Sequence, residues 1–398
     1  MGECSGRLTF SLTPSNVNTN SSEKYPLSQL LAAIVIGVAG TAMFNLSPMV
    51  LSAAADLLQL SDQQLGWLMG AEVFGIAIAS IVVLAFTRRI GVRKLALAGA
   101  AVVALGNLAA AAITDYQTLL ALRFAIGCAG DGLLYACAVV VLGRQSSPVR
   151  AFAIFSFTNM CIIGAVLASL PDQVGADLWK LLMGLLAGMG VIALVASFQL
   201  PKLDLDQARR PGIVWQSRPW MALLGLFAFT LNLGAVWGFA AKVGAESGLA
   251  SADIAGYLSL SIVFQAAGSL TAIALGSANR PLLRLASIAV LQLLGLLLLA
   301  LSNGQTSFVI GLALWGFGWN FGIANLLGFL AEDRHGNKVL ALAPGTEALG
   351  AASGPAIAGT ITALTITHSV VSVGLIGAIA ALLLFVPLVM TPRYSTTR

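Results

Sequence analysis

Charged residues are scarce in this sequence, and their scarcity excludes a water-soluble protein. Only 9% of the 398 residues are Asp, Glu, Lys or Arg, whereas 58% are hydrophobic. Soluble domains contain about 25% charged residues. The 21 basic residues exceed the 16 acidic ones only slightly, so the charge balance does not indicate a nucleic-acid partner.

Signatures of enzymes and ATP-driven pumps are also missing. The sequence has no Gly-x-x-x-x-Gly-Lys-Ser/Thr phosphate loop and no hydrophilic stretch long enough for a nucleotide-binding domain. Its two histidines and four cysteines are scattered, which predicts neither a haem nor a metal site. Because no pairing of a nucleophile with a base is recognisable either, we expect no enzyme, no cofactor and no metal.

Long apolar runs make up most of the chain. A helix that crosses a bilayer needs about 20 apolar residues, and these runs are too long and too uniform for barrel strands. Twelve runs predict an all-α integral membrane protein with spans 1 to 12. They begin near Leu27, Gln64, Leu95, Gln117, Val149, Leu178, Trp220, Ile254, Leu282, Ser307, Ala341 and Ser369.

Basic residues are concentrated in every second loop of the predicted topology. If the N-terminus is cytoplasmic, only Lys180 and Lys242 lie in loops on the far side, and Arg123 lies inside span 4. Cytoplasmic loops of membrane proteins are enriched in Lys and Arg. We therefore expect both termini in the cytoplasm, in a cell inner or plasma membrane whose anionic lipids contact the basic face.

An internal repeat divides the chain into two halves. The start of span 2, Ser61 to Leu68, is echoed by Ser251 to Leu258 at an offset of about 190 residues, and the longest hydrophilic connection, Pro201 to Arg218, separates the two. Such duplication places a substrate site between the halves near the membrane midplane. The predicted parts are a disordered tail (1–26), a six-helix bundle (27–200), a cytoplasmic linker (201–218), a second six-helix bundle (219–391) and a C-terminal tail (392–398).

Ionisable residues inside the spans are candidates for proton coupling. Glu72, Asp131 and Glu347 are acids within predicted spans, and Arg123 is a base at a depth similar to that of Glu72. Buried charges are costly and usually functional. We predict that Glu72 or Asp131 exchanges a proton while Arg123 changes partner, and that Glu347 is a second proton site or a substrate anchor. A static Glu72–Arg123 pair and a solvated Glu347 are the alternatives.

The loop between spans 2 and 3 resembles a motif of the major facilitator superfamily of secondary transporters. Arg89, Gly91, Arg93 and Lys94 match that motif, whereas the family has Gly at the position of Leu84 and an acid at that of Arg88. The resemblance implies the major facilitator fold, with two pseudo-symmetric six-helix bundles. It also implies a gating role for the four matching residues, although a basic loop retained in the cytoplasm explains them equally well.

Two further elements resemble motifs of this superfamily. Arg123 and Gly127 match an Arg-x-x-x-Gly element of span 4, in which the Arg is associated with proton coupling. Gly354 and Pro355 in span 11 resemble the Gly-Pro element that drug/proton antiporters have in span 5, which implies a gating role. Close helix packing through small residues is the alternative.

The resemblance further implies that spans 1, 4, 7 and 10 line a substrate cavity. A cavity rich in aromatic groups favours an amphipathic organic molecule over a sugar, and Arg123 would hold a carboxylate. Packing between helices is the alternative role for the tryptophans. The candidate substrate-binding residues are Asn45, Arg123, Tyr135, Asn232, Trp237, Trp315, Trp319 and Asn320.

The sequence therefore predicts a secondary transporter that works by alternating access. Proton-coupled symport of a small amphipathic compound, such as an organic or aromatic acid, is the leading hypothesis. Export of lipophilic compounds by a drug/proton antiporter and a non-transporting receptor are the alternatives. Na⁺ in place of the proton is a further option, and a monomer is expected. Substrate identity, direction and stoichiometry are not predicted.

Overall fold

A computed structural model describes residues 26–60, 62–169, 176–201, 217–276, 280–332, 339–363 and 369–390. All regular secondary structure within these ranges is helical. Nearly all of the predicted tails and linker lies outside the described residues.

Among the described residues, fourteen α-helices build the twelve predicted spans, which confirms the fold class. Spans 1 to 3 are single helices, span 4 consists of α4, a π-helical turn and α5, and the short α9 follows span 7. Spans 8 to 12 are again single helices. The bounds are α1 (Leu27–Leu58), α2 (Asp62–Ile90), α3 (Val92–Ala110), α4 (Tyr116–Ile126), the π turn (Gly127–Asp131), α5 (Gly132–Leu142), α6 (Pro148–Ser169), α7 (Ala176–Ser197), α8 (Ser217–Gly238), α9 (Ala240–Glu246), α10 (Ser251–Leu275), α11 (Pro281–Ala300), α12 (Gln305–Glu332), α13 (Ala343–Ala363) and α14 (Ser369–Met390).

Within the residues that the structure describes, ten stretches of helix are long and apolar enough to cross a membrane on their own. The two long helices outside this set are α2 and α13, which contain Glu72 and Glu347. These two helices pack against each other across the two halves of the molecule through Val73, Ile76 and Ala348. Each of these two polar spans therefore has one face at the interface between the halves.

Two residues shape the loops around span 3: Gly91 in the loop before it and Asp115 in the loop after it. Gly91 connects spans 2 and 3 at φ 82° and ψ 149°, a conformation that residues with a Cβ rarely adopt. Asp115 caps α4, because its carboxylate accepts hydrogen bonds from the Thr118 backbone N–H at 2.8 Å and the Thr118 hydroxyl at 2.6 Å. These bonds, the one from the hydroxyl foremost, hold the pKa of Asp115 below its ordinary value.

Contacts between the halves cluster at one end of the bundle, the end at which spans 2, 4, 8 and 10 finish. We call it the basic end. One close contact joins Gly328 of span 10 to Val149 of span 5, since a Cβ added to Gly328 would lie 3.0 Å from the Val149 Cα. Arg150, at the start of span 5, donates a hydrogen bond of 3.2 Å to the Ile273 carbonyl near the end of span 8. The two halves are therefore joined at the basic end.

Replacing Arg150 by alanine is expected to loosen this end. The Arg150 side chain is exposed, and a hydrogen bond of this kind contributes about 0.5–1.5 kcal/mol, which corresponds to a shift of about 2- to 10-fold in the ratio of closed to open molecules. Electron-spin distance measurements between labels at positions 146 and 280 test this expectation. The control is Lys180→Ala at the opposite end. Identical distance distributions in wild type and Arg150→Ala would contradict it.

Candidate functional site

A cavity of about 120 Å³ lies between the two halves. Spans 1, 2, 4, 5, 7, 10 and 11 all contribute to its wall. Its polar groups are hydroxyls, amides and one carboxyl, and among the described residues no basic side chain lines it. The polar lining residues are Thr41, Asn45, Tyr135, Ser156, Asn159, Thr230, Asn320 and Glu347, and the aromatic ones besides Tyr135 are Phe44, Phe155 and Trp319.

A hydrogen bond crosses the cavity between the halves. The Tyr135 hydroxyl of span 4 donates to the Glu347 carboxyl of span 11 at 2.6 Å. The Tyr135 ring also packs against the Phe155 ring of span 5 at a centroid distance of 6.0 Å. The structure thus brings together two residues that the sequence proposed for different roles, with Glu347 in the cavity wall.

A second polar cluster is buried within the first half. Arg123 donates to Glu72 through Nε at 2.8 Å and through Nη2, and through Nη1 to the Asn107 side-chain oxygen at 2.7 Å. Asp131 is buried beside Glu72 and Arg123. Two carboxyls and one guanidinium carry one net negative charge when all are ionised, so a single added proton neutralises the cluster. A cluster of this composition can hold a proton inside a membrane.

Glycines bring the cluster together. A Cβ added to Gly75 would lie 2.6 Å from both the Cys128 nitrogen and the Phe124 carbonyl, and one added to Gly127 would collide with the Glu72 backbone. Spans 2 and 4 therefore approach at backbone contact, which places Glu72 directly at Arg123. The crossing coincides with the π turn Gly127–Asp131; such turns occur frequently at functional sites.

Several predicted substrate-binding residues do not line the cavity. Asn232 is buried in the second half, where it donates to Gln292 at 2.8 Å and accepts from the Trp315 indole at 3.2 Å. Trp315 is buried too. The Trp237 ring contacts the Trp319 ring edge-on, with 5.7 Å between the ring centroids. Arg123 is fully engaged by Glu72 and Asn107, away from the cavity wall. These positions reflect packing between helices, the alternative role considered above for the tryptophans.

The predicted gating residues hold contacts within one half. Arg93 donates from Nε at 2.7 Å to the Leu200 carbonyl at the end of span 6, and Lys94 is exposed. Gly354 packs on span 7, its Cβ position lying 2.5 Å from the Ala235 nitrogen, and Pro355 lies within α13. The side chain of Arg89 is outside the part of the molecule that the structure describes.

Sequence reasoning missed several polar groups of the site. Thr41, Ser156, Asn159 and Thr230 line the cavity, and Asn107 binds Arg123. Gln265 holds Asn320 through a hydrogen bond of 3.1 Å from the Asn320 amide. Uncharged polar residues are common in membrane helices, so their type alone gave no signal. Whether such a residue lines the cavity or packs between helices depends on its angular position on the helix.

Comparison with known proteins then identifies the family. A model of the Major Facilitator Superfamily matches residues 32–333. The chain belongs to this superfamily. Members of the superfamily that resemble it are transporters rather than enzymes, so this protein is a multi-pass membrane transporter.

Similar superfamily members include sugar symporters. The arabinose-proton symporter of Escherichia coli strain K12 is 26% identical over 178 residues, or 43% of this chain and 38% of the relative. The match thus spans well under half the length of that relative.

Solved structures share the fold at low identity. The transporter FucP in its outward conformation superposes with a TM-score of 0.73 at 17% identity, covering 92% of this chain and 98% of FucP. The human organic anion transporter MFSD10 gives 0.70 at 15% identity, with 93% and 100% covered. The proton:xylose symporter XylE gives 0.71 at 14% identity, with 90% and 94% covered. These similarities establish the fold alone.

Proposed function

We propose that this protein is a proton-coupled symporter for a small neutral, hydroxyl-rich molecule of about the size of a monosaccharide. The observation that carries the proposal is the cavity wall, in which hydroxyls, amides and the Glu347 carboxyl lie among aromatic and aliphatic side chains from both halves, without a basic group among the described residues. This composition argues against the carboxylic acid substrate that the sequence favoured. The eight polar lining residues also argue against its preference for an amphipathic molecule over a sugar. The partial similarity to an arabinose-proton symporter agrees with a sugar-like substrate.

In this proposal the Glu72–Arg123–Asp131 cluster takes up the proton. Removal of one net charge from a buried site is favourable, because an unbalanced charge is poorly solvated there. Asp131 lies one turn before Tyr135 on span 4, and Tyr135 contacts the opposite half at Glu347. A change at the proton site therefore reaches the cavity along a single helix.

Proteoliposomes test the coupling. With wild-type protein, an imposed pH gradient is expected to drive accumulation of a monosaccharide from a mixed panel, and a protonophore should abolish it. Asp131→Asn is expected to reduce gradient-driven accumulation about 10-fold or more, the loss of about 1.4 kcal/mol of driving force, while sugar exchange without a gradient persists.

Asp177→Asn is the matched control, since Asp177 is an exposed acid at the start of span 6. Gradient-driven uptake should be unchanged in this variant. Accumulation by Asp131→Asn at the wild-type level would refute the assignment of the proton site.

Export of lipophilic cations by antiport is the second candidate. One observation favours it: the cavity combines the Glu347 carboxyl with the aromatic side chains Phe44, Tyr135, Phe155 and Trp319, and aromatic faces attract cations. In the same proteoliposomes an antiporter would release protons when lipophilic cations are added and would ignore sugars.

A further inference from the structure

Two oxygen atoms of the cavity residues lack hydrogen-bond partners. They are Oδ1 of Asn159, on span 5 of the first half, and Oε1 of Glu347, on span 11 of the second half. Both atoms are buried, and the Asn159 residue is only 6% exposed. An acceptor that is buried without a donor is unfavourable, so both oxygens favour a bound group that donates to them.

Neighbouring polar groups of the cavity already have partners within the protein. The Asn45 amide donates to the Thr41 carbonyl at 2.9 Å, and the Asn320 amide donates to Gln265 at 3.1 Å. The other oxygen of Glu347 accepts from Tyr135. The cavity atoms that are buried without a partner in Asn159 and Glu347 are both oxygens.

The two acceptors are linked through adjoining side chains. Asn159 lies one helical turn after Phe155 on span 5, so both side chains share a face of that helix. The Phe155 ring packs on the Tyr135 ring, and the Tyr135 hydroxyl binds Glu347. Asn159 and Glu347 thus flank the same pair of aromatic rings, one from each half.

We infer that Asn159 and Glu347 are specificity-determining residues that accept hydrogen bonds from two hydroxyl groups of one substrate molecule. This inference rests on the proposed function and specifies that two hydroxyl groups of the substrate are recognised. Because the acceptors belong to different halves, the substrate joins the halves when both bonds form. Full affinity therefore requires the halves to be close together.

Hydroxyl groups fit this site better than charged groups do. A hydroxyl both donates and accepts, so it also pairs with lining groups such as Thr230 and Ser156. A carboxylate substrate would add acceptors beside Glu347 and would be repelled by its charge. An ammonium group donates only, so it could pair with the two oxygens but with no donor of the cavity wall.

Binding of sugar analogues to the purified full-length protein tests the inference, with isothermal calorimetry as the readout. The probes are unmodified pentoses and hexoses and their derivatives that lack one hydroxyl. In wild type, the loss of the hydroxyl that is read should weaken binding about 10- to 100-fold. In Asn159→Leu or Glu347→Leu, which remove the acceptor oxygens, the parent sugar should bind weakly and the matching deoxy sugar about equally weakly, since the bond is already lost.

Asn159→Asp retains an acceptor oxygen and should restore much of the discrimination, which guards against a variant that merely folds poorly. The control Asn303→Leu lies in the exposed loop before span 10 and should bind like wild type. An unchanged preference for the parent sugar in both Asn159→Leu and Glu347→Leu would overturn the inference while leaving sugar symport intact. Binding of organic ammonium compounds but of no sugar would overturn both the inference and the proposed substrate.

Discussion

Replacing Arg123 by glutamine is expected to lower the free energy of unfolding by about 3–5 kcal/mol, the usual cost of removing one partner from a buried ion pair. Arg123 and Glu72 are both essentially inaccessible to solvent, so the variant leaves the Glu72 and Asp131 carboxyls without their counter-charge. Thermal unfolding of the detergent-solubilised protein should show a markedly lower midpoint.

The double variant Glu72→Gln/Arg123→Gln separates charge from shape. It removes one carboxyl together with the guanidinium and leaves the Asp131 carboxyl without a counter-charge, so part of the lost stability should return. Arg280→Gln, at an exposed position before span 9, serves as the control and should unfold like wild type. A double variant no more stable than the single one would show that the cost does not come from unpaired charge.

Gly127→Ala is the second substitution with a large expected effect. The new Cβ would lie 2.8 Å from the Glu72 carbonyl carbon and 2.9 Å from its Cα, and a neighbouring backbone cannot move away as a side chain can. Overpacking typically costs about 1–3 kcal/mol. Spans 2 and 4 must separate, which also pulls Glu72 away from Arg123, so gradient-driven transport should fall together with stability.

Gly184→Ala provides the matched comparison for this prediction. Gly184 lies in span 6, and a Cβ added there meets nothing within 4 Å. The same change of residue should therefore leave the unfolding midpoint and transport unchanged or slightly improved. If Gly127→Ala and Gly184→Ala both unfold at the wild-type temperature, the close approach of spans 2 and 4 does not require glycine at position 127.

The fold followed from the sequence because its signals are strong and repeated. Twelve apolar runs and the alternation of basic loops determine the number of spans, and only helices satisfy the backbone in such runs. The same physics identified Glu72, Arg123 and Asp131, since ionised groups in a membrane need partners. Their type and depth were sufficient to suggest that they meet.

The cavity wall was harder to predict. Asn232 of span 7 and Asn320 of span 10 are residues of the same type on spans that were expected to line the cavity. Asn232 is buried in contacts between helices, whereas Asn320 lines the cavity. Asn159 was overlooked because its span was not expected to line the site. The π turn in span 4 adds to the difficulty, because the regular spacing of α-helical residues does not continue through it.

The cluster of Glu72, Asn107, Arg123 and Asp131 lies entirely within spans 2, 3 and 4 of one half, and this location has a mechanical consequence. A rigid rocking of one half against the other leaves these four residues in place relative to each other. The π turn offers a different movement, since its conversion to regular α-helix would rotate Tyr135 by about 100° around the helix axis relative to Arg123. If the cluster is the proton site proposed above, such a conversion would link it to the cavity through the rotation of a single helix.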